Sequence, residues 1–327
     1  MYGSREGTDA SGNPVLIPTF DTYIVRTFQQ QVEGFGAYPF SRNHRFEVGG
    51  ALARYSYRVE RWWQDYYGYG GRDRIPNDQI DETPLGYYYG SMEPFSLAQV
   101  NSSFVGDNAV FGIAAPLQGY RYRVGAEQYF GDLSFTAYNV DLRKYNRYAP
   151  VTVAARAYTY MRVGGESDNR VLYPLFLGYP HLIRGYESAS FRNNEDPRFN
   201  FNSLMGTRIA VVNLEVRLPF TGPEKLAAIR SGMLFSDLNF FFDAGLAWNN
   251  DSHIAFRSTP RLVETVPNPS DPGTSIDVYE RVPALSAGVS LRVNLFGAMI
   301  LEPYYAFPFQ RTDVRFGTFG LNFAPGW

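Results

Sequence analysis

Few residues of this sequence are equipped for chemistry. Cysteine is absent, which removes thiol catalysis, disulfide frameworks and Cys-based zinc sites. Histidine occurs at positions 44, 181 and 253, and His181 has no His or Glu at a metal-ligand spacing. No Gly-x-Ser-x-Gly elbow is present to position a serine nucleophile. The run NNEDPRFN at 193–200 gathers Asn and Asp oxygens without the spacing of a calcium loop, so it reads as solvated. The aromatic stretch at 61–93 reads as part of an interfacial girdle around a solvated middle, with a ligand surface as the alternative. No enzymatic activity, metal or cofactor is expected. What remains are charged residues in periodic segments, Glu215 in AVVNLEVRLPF and Asp243 in LNFFFDAGLAW.

The elements carrying those acids follow from period-2 patterning. In Gly206 to Phe220, Val212, Leu214, Val216, Leu218 and Phe220 share one parity, and Asn213, Glu215 and Arg217 lie on the other. From Asp237 to Trp248, Leu238, Phe240, Phe242, Ala244, Leu246 and Trp248 alternate with Asp237, Asn239, Phe241, Asp243 and Gly245. Between Leu285 and Leu295 the odd positions are apolar, and the even ones are Ser286, Gly288, Ser290, Arg292 and Asn294. A strand sends alternate side chains to opposite faces, so Glu215 and Asp243 must lie on polar faces. Further strands are expected at Tyr23–Tyr38, His44–Glu60, Pro94–Val105, Gly119–Phe130, Leu133–Lys144, Val151–Val163, Met299–Phe307 and Val314–Phe323, about eleven in all.

Strands this long exceed the five or six residues usual in a sandwich and approach the roughly 9–11 that a tilted strand needs to cross a bilayer. A soluble sandwich or lipocalin-like barrel is the competing architecture. Polar stretches at 61–93, 164–205 and 248–282 alternate with short links such as PFSRNHR and LFGA, the asymmetry of outer-membrane barrels, whose long loops face outward. No apolar run reaches the roughly 18 residues of a spanning helix. Aromatics make up 17% of the chain, which suits a surface with one apolar and one wet side. The net charge of -2 gives no footprint for nucleic acid. The start, MYGSREGTDASGNP, has no basic segment followed by an apolar core, so no signal peptide is read there. The expected class is therefore an all-β, antiparallel transmembrane barrel. Residues 1–22 read as an N-terminal segment or remnant of a missing strand, and residues 23–327 as the barrel.

The loop LFLGYPHLIRGYESAS at 175–190 resembles the signature loop of the BamA/TamA-type bacterial surface antigen family, with Gly178 in the lead-in and Ile183, Arg184, Gly185 and Tyr186 in the motif. AVVNLEVRLPF and LNFFFDAGLAW resemble the two strands that follow it in that family. SAGVSLRVNLFGAMILEPYYAFPF resembles the penultimate hairpin, and GTFGLNFAPGW a C-terminal strand with a terminal aromatic. Upstream, DNAVFGIAAPLQGYRYRVGAEQ is also similar to a family segment. The resemblance implies a sixteen-stranded barrel in the bacterial outer membrane, behind soluble periplasmic domains, and the chain reads as its C-terminal part. It implies that loop 164–205 folds into the lumen, where Arg184 pairs with Glu215 and Asp243. It implies that Phe319, Leu321, Phe323 and Trp327 form the apolar face and recognition signal of the last strand. The implied function is insertion or translocation of proteins at the outer membrane. Its partners would be outer-membrane lipids, client proteins and periplasmic accessory proteins, with no nucleic acid. A passive channel, a surface antigen displaying a fused domain, an outer-membrane enzyme and a smaller complete barrel are the alternatives.

Overall fold

The protein is described by a computed structural model covering residues 2–8, 13–76, 79–80, 92–188, 196–267, 273–297 and 299–323. Twelve strands follow one another along a single antiparallel sheet: β1 (Tyr2–Thr8), β2 (Pro14–Pro39), β3 (His44–Asp65), β4 (Phe95–Asp107), β5 (Pro116–Gly131), β6 (Phe135–Tyr148), β7 (Val151–Val163), β8 (Arg208–Gly222), β9 (Phe235–Trp248), β10 (Ala284–Leu295), β11 (Met299–Pro308) and β12 (Thr318–Phe323). Each pairs with its neighbour in sequence order, the meander of a barrel wall, with β1 and β12 at the two ends of the path.

Period-2 reading gave eleven strands; the twelfth is β1, and β2 begins at Pro14 rather than Tyr23. The prolines of PVLIPTF hid this start. Pro14 and Pro18 pair only with Thr8 and Ser4 of β1, because β3 ends where Asp65 meets Thr19. Neither ring therefore interrupts the β2–β3 ladder, and prolines are tolerated where a strand lacks a neighbour on one side. At the other end the strand expected at Val314 starts at Thr318. A 3-10 turn at Thr312–Val314 and Gly317, with φ of 88°, redirect the chain first.

Exposure is inverted relative to a water-soluble protein. Val212, Leu214, Phe240, Val289 and Phe319 are exposed, while Asn213, Glu215, Arg217, Asn239, Asp243 and Arg292 on the opposite parity are each at most 2% exposed. Large apolar side chains face outward along whole strands because lipid, not water, is their solvent. The long loops at 66–94, 164–207 and 249–283 leave the upper strand ends. The short links at 40–43, 149–150 and 296–298 lie at the lower ends, so the upper rim is extracellular.

Two apolar clusters sit inside this wall. One gathers Leu177, Leu182, Ile183 and Tyr186 of loop 164–205 against Ile209, Val211, Ala247 and Ala284 of the strands. The other gathers Tyr57, Val59, Phe95, Leu97, Leu133 and Phe135, with Val171 and Leu172 of the same loop packed on it. The loop thus spans the interior, from the β2–β3 hairpin to strands β8–β10. Thr27 Oγ1 and Tyr173 Oη, 2.6 Å apart, add a polar contact at the first of these footings.

Lipid-facing placement makes a direct prediction. Val289→Arg is expected to destabilise the inserted barrel by about 2–4 kcal/mol if the site is near the bilayer midplane, read as a lower urea midpoint for loss of heat-modifiable gel migration. Ser290 cannot serve as its mild lumen-facing control, because it is 3% exposed and donates to Glu302 Oε1 at 2.7 Å. Gln31, exposed on the inward parity of β2, is the appropriate control, and Gln31→Arg should leave the midpoint nearly unchanged. Equal losses from both would contradict the facing of these strands.

Candidate functional site

The site is built where four adjacent strands turn polar faces to the lumen. Register sets Asn213 of β8 opposite Asp243 of β9, and Glu215 opposite Phe241. Asp243 in turn faces Ser286 of β10, and Asn239 faces Ser290. On β11, Glu302 lies opposite Asn322 of β12, with Tyr304 opposite Ser290 on its other side. Alternation alone thus gives a wall of amides, hydroxyls and carboxylates, to which Arg217 and Arg292 add two guanidiniums.

The loop delivers a third guanidinium. Its stem is pinned where Leu175–Phe176 pairs with Met205–Gly206. The Leu182 and Ile183 N–H groups then donate to the Tyr179 carbonyl at 2.8 and 3.0 Å, closing a turn that points the next residue at the wall. Gly178 and Gly185 are needed for this approach. A Cβ at Gly178 would collide with the Tyr186 carbonyl and the Phe176 ring, and Gly185, at φ 91°, lies against Ala306 and Pro308. Ile183 is fully buried against Gly245 of β9, where a Cβ would overlap its δ-methyl. Tyr186 Oη lies 2.6 Å from Gln310 Oε1 and 2.9 Å from the Leu285 carbonyl. Arg311 Nη1 donates to the Gly185 carbonyl at 3.0 Å. Both residues flanking Arg184 are therefore fixed before its charge is considered.

Arg184 grips Asp243 with two prongs, Nε to Oδ2 and Nη2 to Oδ1, each 2.8 Å, and its own backbone N–H adds a third bond at 3.2 Å. Its Nη1 reaches Glu215 Oε1 at 2.9 Å and Glu302 Oε1 at 3.1 Å. The guanidinium carbon lies 3.6 Å from the centre of the Phe241 ring, so one face of the planar cation stacks while its edge is bonded. The structure brings the three residues singled out in the sequence into direct contact. It adds partners that the sequence reading left unassigned. Glu215 also accepts from Arg217 Nε at 2.7 Å and Arg292 Nη2 at 2.9 Å, and Arg292 Nε lies 3.2 Å from Glu302. Asn213 Nδ2 bonds both Asp243 Oδ1 and the Leu182 carbonyl at 2.8 Å, tying wall to loop.

Three guanidiniums and three carboxylates therefore form one closed cluster whose six side chains are each at most 3% exposed. Arg217 and Arg292 could have been found from the sequence, since each stands on the polar parity of its strand. Glu302 carried no such signal, being a lone acid in LEPYYAFP. The cluster is buried, and the apolar half of the loop packs beside it on the same strands. His181 stacks on Tyr179 with ring centres 5.5 Å apart, and burial followed by the nearby Arg156 charge lowers its pKa. That favours the neutral imidazole, on a residue that is itself exposed beside the Tyr179 ring. Asp196, in the acidic run at 193–200, accepts from Arg198 Nη2 at 2.7 Å, so its carboxylate is engaged by a cation already. On the terminal strand Phe319, Leu321 and Phe323 are exposed on the outward parity, and Trp327 lies outside the described residues.

An inward-drawn loop locked to the wall by an arginine can be compared with known families. The profile of the Omp85 superfamily domain matches residues 19–326. The chain belongs to the Omp85 superfamily. Among solved structures, this Omp85-superfamily chain is similar to BamA from Haemophilus ducreyi lacking POTRA domains 1-3, with a TM-score of 0.53 and 13% identity. That match covers 94% of this chain and 56% of the other, so the chain spans a little over half the length of the structure it resembles. At this identity the likeness concerns the fold. No curated protein matches in a sequence comparison. As an Omp85-superfamily member with lipid-facing strands, the protein is a β-barrel of the bacterial outer membrane.

Proposed function

We propose that this barrel inserts client polypeptides into the outer membrane, or moves them across it, without chemistry of its own. The observation that carries the reading is the clamp of the signature loop: Arg184 holds Asp243, Glu215 and Glu302 at once, within a domain of the Omp85 superfamily. A clamp of this kind keeps strands β8–β11 rigid, so that movement concentrates at the ends of the sheet. A strand edge is a row of unpaired N–H and C=O groups and can template an incoming strand. Among the described residues β12 pairs with β11 from Leu301 to Ala306 and forms one end of the sheet path. Phe319, Leu321 and Phe323 would serve as the terminal strand's recognition signal and lipid face. Client outer-membrane proteins and periplasmic accessory proteins are the partners implied. A passive pore fits less well, because loop residues Leu177, Ile183 and Tyr186 fill the interior with apolar side chains that are fully buried.

The test is capture of a client in the act. A photo-crosslinking residue at Asn322 of β12, in the protein in living cells, should yield adducts to newly made outer-membrane proteins. The same residue at Leu214, on the lipid face far from either sheet end, should not. Adducts at Asn322 confined to lipid or to the barrel itself would defeat the client reading.

A further inference from the structure

The outer face of the β2–β3 hairpin carries a cluster that the clamp and the client reading leave unused. β3 pairs with β4 only from His44 to Tyr55, yet β2 and β3 stay paired up to Asp65. The last ten residues of β3, with the facing part of β2, therefore rise about 30 Å along the strands beyond the start of β4, towards the outside of the cell. A short strand at Gly70–Ile75 continues the sheet along β3. Register assigns each residue its face. On the parity of Leu52 and Val32, exposed and lipid-facing, stand Arg54, Arg58, Glu60 and Trp62 of β3, Arg26 of β2, and Arg72 and Arg74 of the short strand. The acids Asp21 and Asp73 lie on the opposite parity, where Asp21 bonds Arg61 at 2.8 Å.

Among the described residues, five guanidiniums on this face thus meet one carboxylate. Glu60 is fully buried, and Arg26 Nη1, Arg72 Nη2 and Arg58 Nε converge on its Oε1 at 2.6, 2.6 and 3.1 Å. Arg72 also lies over the Trp62 ring, 5.8 Å from its centre. One acid holds three forks in place without neutralising them, and their side chains remain 40–50% exposed. Phe28, Val32 and Leu52, all exposed, lie below on the same parity. An apolar strip under a convergent set of guanidiniums matches a lipid with acyl chains below and phosphates above. We propose that Arg26, Arg58 and Arg72, flanked by Arg54 and Arg74, bind the phosphates of an outer-leaflet lipid headgroup. The site would fix the hairpin's height in the membrane, and it depends only on outer-membrane placement, not on a client.

The full-length protein purified in detergent tests this directly, using a bisphosphorylated glycolipid, its dephosphorylated counterpart and inorganic phosphate as probes. Native mass spectrometry counts the lipid retained, and heat-modifiable migration reports folding. Preferential retention of the phosphorylated lipid is expected. Arg26→Gln/Arg58→Gln/Arg72→Gln should weaken it about tenfold or more, because each basic side chain near an anionic surface contributes appreciably. Should the triple variant lose its partners for Glu60 and fail to fold, Arg54→Gln/Arg74→Gln decides the matter, with an expected loss of about threefold or more. Equal retention of the dephosphorylated lipid, or unchanged retention by the double variant, would overturn the proposal. So would displacement of the lipid by millimolar inorganic phosphate, which would indicate a free-anion site.

Discussion

Arg184→Ala is expected to release the signature loop from the wall while leaving the strands inserted. The loss falls unevenly across the cluster. Glu215 keeps Arg217 and Arg292, and Glu302 keeps Ser290 at 2.7 Å and Arg292. Asp243 loses both prongs of its fork and retains the Asn213 amide and the backbone N–H of residue 184. Breaking a buried pair by removing one partner typically costs about 3–5 kcal/mol, and at 3% side-chain exposure little solvent is present to reduce that figure. The expected readout is faster protease cleavage within 164–205 and impaired activity, with heat-modifiable migration retained. Arg184→Lys should restore only part of the loss, since an ammonium cannot fork across Asp243 while reaching Glu215. Adding Asp243→Asn to Arg184→Ala removes the orphaned charge and should recover stability. An Arg184→Ala protein with wild-type protease resistance would show that packing by Ile183 and Tyr186 alone holds the loop.

Glu215→Ala should be more damaging still. Its carboxylate accepts from all three guanidiniums, at 2.9 Å from Arg184 and Arg292 and 2.7 Å from Arg217. Removing it leaves three buried cations converging on one position, with Asp243, Glu302 and the nearby Asp237 as the carboxylates that remain to offset them. The repulsion acts between residues of β8 and β10 as well as the loop, so the wall itself is strained. The expected result is reduced assembly into the outer membrane and a urea midpoint below that of Arg184→Ala. Glu215→Gln keeps a carbonyl acceptor of the same shape and should fall between wild type and Glu215→Ala. The order of the three midpoints is the test. A Glu215→Ala barrel as stable as wild type would mean the cluster contributes nothing to holding β8 and β10 together.

The legibility of the site differed from residue to residue for identifiable reasons. Glu215 and Asp243 were readable because each stands in a strand whose other face is unbroken Val, Leu and Phe, so parity left one direction for the acid. Arg184 was readable only through the resemblance of its loop, because nothing periodic surrounds an irregular segment. Glu302 was missed because its inward neighbours on β11, Tyr304 and Ala306, are apolar in type. The strand β1 was missed because its evidence lies in its pairing with β2, a contact between segments that neither composition nor period records. Ser290 shows the same limit: parity gives its face correctly but not the Glu302 carboxylate that occupies the space beside it.

The sequence by itself determined which side chains face lipid and which face the lumen along β8, β9 and β10, because a strand's alternation is a local property of the backbone. It also determined where the chain turns tightly and where it makes long loops, since the apolar runs that need lipid are bounded by Gly, Pro, Asn and Asp. Tertiary structure alone decided what the lumen-facing charges do. Three acids on three separate strands and three arginines, one of them on a loop, meet within hydrogen-bond distance only after the sheet curves and the loop enters it. Tertiary structure also decided that they meet buried, beside Leu177, Ile183 and Tyr186 packing on Val211, Ala247 and Ala284. The physical reason is the range of the forces involved: alternation is fixed between adjacent residues, whereas burial and charge pairing depend on the whole enclosed volume.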